Sequence, residues 1–135
     1  MVALRDLYDW MERLMVMACD IGFAPASKPV ASHVAKRGND IVVQTRELFE
    51  AIALATDHPY LYQAVRQADD KLGPIRRAKQ PLVPDASDEL AHINRLWRKR
   101  DITALKAALI AYHERRKQLV PRIVAHLSAT PYLSH

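Results

Sequence analysis

The sequence predicts an all-α protein, an antiparallel bundle of five to seven helices forming one domain over residues 1–135. Three observations predict it. Apolar residues recur at three-and-four spacing through most of the chain, glycine occurs only three times, and the alanine, leucine, arginine and lysine that recur are those of a soluble helical protein. At 135 residues the chain can bury an ordinary core without disulfides or metals.

In the first segment, Leu4, Leu7, Tyr8, Met11, Leu14, Met15, Ala18 and Ile21 form one wide stripe, which should end at Gly22 with Pro25 beyond it. Trp10, Val16 and Met17 lie off that stripe, so more than one neighbour must cover this helix, and a subunit contact is one way to do so. From Phe23 to Asn39 the chain is punctuated by Pro25, Pro29 and Gly38, leaving room for a short helical turn around Val30 to Ala35.

Asp40 then caps a helix with Ile41, Thr45, Leu48, Ile52 and Ala55 on one line and Val42, Phe49 and Ala53 on the next; it stops at Asp57. Proline pushes the residue before it out of the helical region and suits the first position of a new helix, so His58 sits at a corner as hinge or N-cap. The following helix has Leu61, Val65, Ala68, Leu72 and Ile75 in register and should be interrupted at Gly73-Pro74, giving way to a loop, GPIRRAKQPLVPD. Asp85 or Ser87 caps a helix with Leu90, Ile93 and Trp97 inward. Asp101 caps the last one, with Ile102, Leu105, Leu109, Tyr112, Leu119 and Ile123, and Pro121 should kink or restart it.

Twenty basic against fifteen acidic side chains give a net charge of +5, which suits an anionic ligand as readily as solubility. Cys19 is the single cysteine, excluding an intrachain disulfide and a thiolate zinc site and fitting a packing role in a cytoplasmic protein. The apolar run Leu14 to Ala18 is too short to span a bilayer, so no membrane association is expected.

The six histidines, at 33, 58, 92, 113, 126 and 135, include no pair at one-turn spacing, so neither a metal nor any other cofactor is expected. No phosphate-cradling glycine loop or nucleophile elbow is present, and an enzyme is not expected. Adjacent residues on a helix point about 100° apart, so Asp69-Asp70 and Asp88-Glu89 read as solvated faces and caps rather than acid/base pairs. The basic clusters at 76–79, 98–100 and 115–117 lack interleaved aromatics or a helix-turn-helix pattern, which argues against direct nucleic-acid binding.

Three stretches, TRELFEAIALATDHPYLYQAVRQADDKL, DELAHINRLWRKRD and ALKAALIAYHERR, together resemble the C-terminal effector domain of GntR-superfamily transcription regulators of the FadR type, the FCD domain. The resemblance covers about Leu4 to Leu127 and implies a ligand-sensing, homodimerising helical domain. It implies DNA contact only through a winged-helix domain, which is absent from this chain: either the sequence is an excised effector domain or it works without its own DNA reader. Many members hold a divalent metal, but the corresponding positions fall on Thr45, Phe49, Leu90 and Tyr112, so the resemblance implies a metal-free variant. His58 stands where the family has asparagine, and the family's second helix is abbreviated.

The family's first-helix pocket positions fall on Met11 and Met15. With Thr45, Phe49, Leu90 and Tyr112 they would line a central cavity favouring a small apolar or aromatic effector over a polyanion, with Arg116 placed to meet a carboxylate at its edge. The alternatives are that these residues only fill the core, and that the chain is a stand-alone helical protein-interaction module docking a partner through its first helix.

Overall fold

A computed structural model describes residues 2–25 and 40–129. Among them the chain is all-α, a bundle of five α-helices: α1 (Val2–Ile21), α2 (Ile41–Ala55), α3 (Pro59–Ala78), α4 (Ala86–Lys99) and α5 (Ile102–Ser128), with one 3₁₀ turn at Gln80–Leu82. The expected turn at Val30 to Ala35 and the abbreviated second helix lie outside the described residues.

The helix boundaries follow local chemistry. Gly22 ends α1 with φ +88°, a conformation that glycine adopts without strain, and its N–H donates to the Ala18 carbonyl at 3.1 Å. The Asp40 carboxylate accepts the N–H groups of Val42 and Val43 at the start of α2. At the α2–α3 corner, Asp57 takes a left-handed φ of 57° and His58 Nδ1 accepts the Leu61 N–H at 3.2 Å. His58 is therefore an N-cap, satisfying a donor that the helix itself leaves without a partner. Asp101 does the same for α5 through the Ala104 N–H.

Three expectations are corrected. Gly73-Pro74 does not interrupt α3, which continues to Ala78, so the first half of the expected basic loop is helix. Pro74 is exposed, as is Asp70, whose carbonyl loses the usual donor from position 74. Beyond it, Arg76 is held in the core by an ion pair with Asp69 two turns back. Pro121 likewise lies inside an unbroken α5. Asp85 occupies the N-cap position of α4 without a side-chain capping bond, because its carboxylate accepts two hydrogen bonds from Arg115 instead.

α1 packs along α5 and against α3, α2 packs on α3, and α4 closes the bundle on α5. The core between them contains Met11, Met15, Phe49, Ile52, Leu72, Ile93, Leu105 and Leu109, all essentially without solvent contact. Truncating one of these to alanine costs roughly 2–5 kcal/mol. Phe23 meets the Trp97 ring edge-on at 4.7 Å, while the Arg100 guanidinium covers Trp97 at 3.6 Å. Cys19 is buried, and burial raises its thiol pKa to about 11, which suits packing rather than reactivity.

Candidate functional site: a buried cationic cavity

The stripe that carries Leu61, Val65, Ala68 and Leu72 inward does not end at Pro74. Because α3 continues, the next positions on that face are Arg76 and, at the helix end, Lys79, and both are delivered to the inside of the bundle. The α5 stripe of Leu105, Leu109 and Tyr112 likewise continues to Arg116. These elements meet at a partly enclosed cavity of ≈ 20 Å³. Arg76, Lys79 and Arg116 line it together with Thr45, Tyr112 and Gln80, and with an apolar wall of Ile41, Val42, Val83 and Ala86.

The three cations are almost entirely buried, with relative exposures of 3% for Arg76, 4% for Lys79 and 0% for Arg116. Such charges persist inside a protein when they are paired and hydrogen-bonded. Arg76 Nη1 donates to Asp69 Oδ1 at 2.7 Å. Arg116 Nη1 lies 2.6 Å from Glu89 Oε1 and donates to the Tyr112 carbonyl at 3.2 Å, and its guanidinium stacks 3.6 Å from the Tyr112 ring. Lys79 has no ion-pair partner among the described residues. Burial, reinforced by the nearby positive charge of Arg116 and Arg76, lowers its pKa to about 7. Arg76 Nε and Nη2 and Arg116 Nε are buried donors that no acceptor meets among the described residues.

Beside the cavity lies a polar layer. Burial pushes the Asp69 carboxyl up to about 7, against the opposing pull of Arg76. The His113 ring is wholly buried beside Phe49 and Tyr112. Its Nδ1 lies 2.7 Å from the Leu109 carbonyl, and burial lowers its pKa to about 3, so the ring is neutral and donates through Nδ1. The Tyr8 hydroxyl is buried without a hydrogen-bond partner among the described residues, and burial moves its pKa well above the usual phenol range.

Of the seven residues that the sequence singles out, Thr45, Tyr112 and Arg116 meet at this cavity. Met11, Met15, Phe49 and Leu90 are buried in the core and do not line it. Phe49 backs it: its ring is 5.4 Å from the Tyr112 ring and 5.4 Å from the Arg76 guanidinium carbon. The cavity wall therefore carries three cations where the sequence suggests apolar and polarisable side chains. Arg76 and Lys79 escape a sequence reading because Pro74 reads as a helix stop. Asp69, expected on a solvated face, is fully buried, whereas Asp70 is exposed and accepts a hydrogen bond from Arg46.

His92 is exposed and does not line the cavity. No group of three or more potential metal ligands occurs among the described residues, and no described helix is long and apolar enough to cross a membrane. No protein-family model, no curated protein and no solved structure matches the chain.

A second surface feature is the outer face of α1. Trp10 and Met17 are exposed and, with Val16 and with Ile110 of α5, form an apolar groove edged by Glu12, Arg13 and Asp20.

Proposed function

We propose that this chain is the ligand-sensing and dimerisation domain of a bacterial transcription regulator of the GntR/FadR type. In this reading it is a cytoplasmic binding domain rather than an enzyme, it uses no metal or other cofactor, and DNA is read by a winged-helix domain outside this sequence. A small molecule with an apolar or aromatic body binds in the bundle core by widening the cavity between α2, the end of α3 and α5, and shifts the balance between two geometries of a homodimer. The observation that carries the reading is the convergence of Thr45, Tyr112 and Arg116, singled out from sequence, on one cavity with unmatched buried donors. The groove around Trp10 and Met17 supports pairing of two copies. The same groove favours the second reading, a stand-alone interaction module that docks a different protein.

The test is a thermal-shift screen of apolar and aromatic small molecules, followed by X-ray scattering of the dimer with and without each hit. The sensing reading expects a hit that changes the scattering profile. Tyr112→Phe keeps the ring and removes one hydroxyl, and should weaken that hit by about 0.5–1.5 kcal/mol if the hydroxyl bonds it. A monomer with no hits, or a stable complex with another protein that covers Trp10, overturns the sensing reading.

A further inference from the structure

Arg76, Lys79 and Arg116 bring positive charge to one small cavity, and the nearby carboxylates do not fully offset it. Arg76, Arg115 and Arg116 each lie 2.6–2.7 Å from a carboxylate, those of Asp69, Asp85 and Glu89 in turn. With Lys79, four cations stand against three carboxylates and one positive charge is left over. Lys79 is the cation without an ion-pair partner among the described residues, and it is buried. The strongest charged influences on it are Arg116, Arg76 and Arg115, which repel its charge, and Glu89, which favours it. Arg76 Nε and Nη2 and Arg116 Nε are also buried donors that no acceptor meets among the described residues. A buried charge is costly unless something pairs it. The cavity volume of ≈ 20 Å³ bounds what can do so, because it holds about one particle of the size of a water molecule and no polyatomic anion.

We propose that this cavity is a binding site for a single halide ion, chloride under ordinary conditions, held between the Lys79 ammonium and the guanidinium groups of Arg76 and Arg116. Chloride carries the one negative charge that the cluster lacks. It is little larger than a water molecule and, being spherical, accepts hydrogen bonds from any direction, so it suits donors that arrive both from the end of α3 and from α5. A water molecule fits the same space but brings no charge. It must also direct two hydrogens of its own at a wall whose three charged side chains only donate. The apolar side of the wall, Ile41, Val42, Val83 and Ala86, keeps the local dielectric low and so strengthens the attraction between the ion and the cations. A bound halide ties the end of α3, beyond Pro74, to α5 and favours the charged form of Lys79 inside the bundle. The site goes beyond the ligand-sensing reading and does not depend on it.

Urea denaturation and anomalous diffraction test it together. Denaturation is followed at about pH 6, where Lys79 keeps its proton, while chloride replaces gluconate, an anion too large for the cavity, at constant ionic strength. The proteins are the whole chain, Lys79→Met, and Lys71→Met, which alters an exposed lysine of the same helix. Once chloride exceeds its dissociation constant, each further tenfold rise should lower the wild-type unfolding equilibrium constant about tenfold. Lys71→Met should keep that dependence and Lys79→Met should lose it while still unfolding cooperatively. Crystals of the wild-type chain grown in bromide should carry one anomalous peak within hydrogen-bonding reach of Lys79 Nζ and both guanidinium groups. A stability that does not distinguish chloride from gluconate, a chloride dependence that survives in Lys79→Met, or a cavity that holds only water in bromide-grown crystals would each overturn the halide site.

Discussion

Asp69 and Arg76 sit two helical turns apart on α3, on either side of Pro74, with Oδ1 2.7 Å from Nη1 and both side chains buried. The pair spans the point where a proline removes a backbone hydrogen bond, and it positions Arg76 at the cavity. Removing one member strands the other's charge in the core. Asp69→Ala should therefore cost about 3–5 kcal/mol in urea denaturation, whereas Asp70→Ala, at the exposed partner of Arg46, should cost no more than about 1 kcal/mol. Similar small losses for both would show that the buried pair does not hold the end of α3.

The parts of this fold that rest on neighbouring residues are legible in the sequence. The caps at Asp40, His58 and Asp101 each place a side-chain acceptor two or three residues before a free N–H, and the spacing displays it. The inward stripes of α1, α2, α4 and α5 are equally plain, except at their ends, where Ile21 and Ile102 are exposed rather than inward. The continuation of α3 is not, because a Gly-Pro pair predicts a break, whereas the buried Asp69–Arg76 ion pair spans it. A signal exists even so: Arg76 and Lys79 extend the stripe of Leu61, Val65, Ala68 and Leu72 in unbroken register. Asp85 shows the same override, its capping role yielding to Arg115 of α5.

Lys79 should make the empty protein less stable than it would be without that charge. The unfolded chain keeps the Lys79 proton up to its ordinary value of 10.5, while the folded chain releases it near 7. Between those values the unfolded state binds more protons, so the Lys79 contribution makes stability rise with pH from about 7 to 10. Asp69 and His113 titrate at or below the bottom of that window. Lys79→Met should be more stable than wild type at pH 7 by about 1–3 kcal/mol, the scale of an unmatched buried polar group. The gap should shrink by pH 9.5 in urea titrations. A destabilised variant, or a gap that widens, would contradict the assignment.

His58 is a cap and not part of the cavity. His58→Ala removes the acceptor for the Leu61 N–H and should cost about 0.5–2 kcal/mol, while leaving the affinity for any hit of the thermal-shift screen within error of wild type. A loss of binding without a loss of stability would place His58 in the site.

Charging the apolar groove of α1 should separate a dimer that uses it. Trp10→Glu and Met17→Glu, both at exposed positions, should retain wild-type helicity by circular dichroism and move the mass measured by light scattering from dimer to monomer. Dimers in both variants would place the subunit contact elsewhere.

The central claim is that Arg76, Lys79 and Arg116 are held buried at one cavity, and the ionisation of Lys79 reports on it directly. Titration of the Lys79 side chain by nuclear magnetic resonance should give a midpoint near the value of about 7 in the empty protein. A Lys79 that titrates like an ordinary surface lysine would contradict the account.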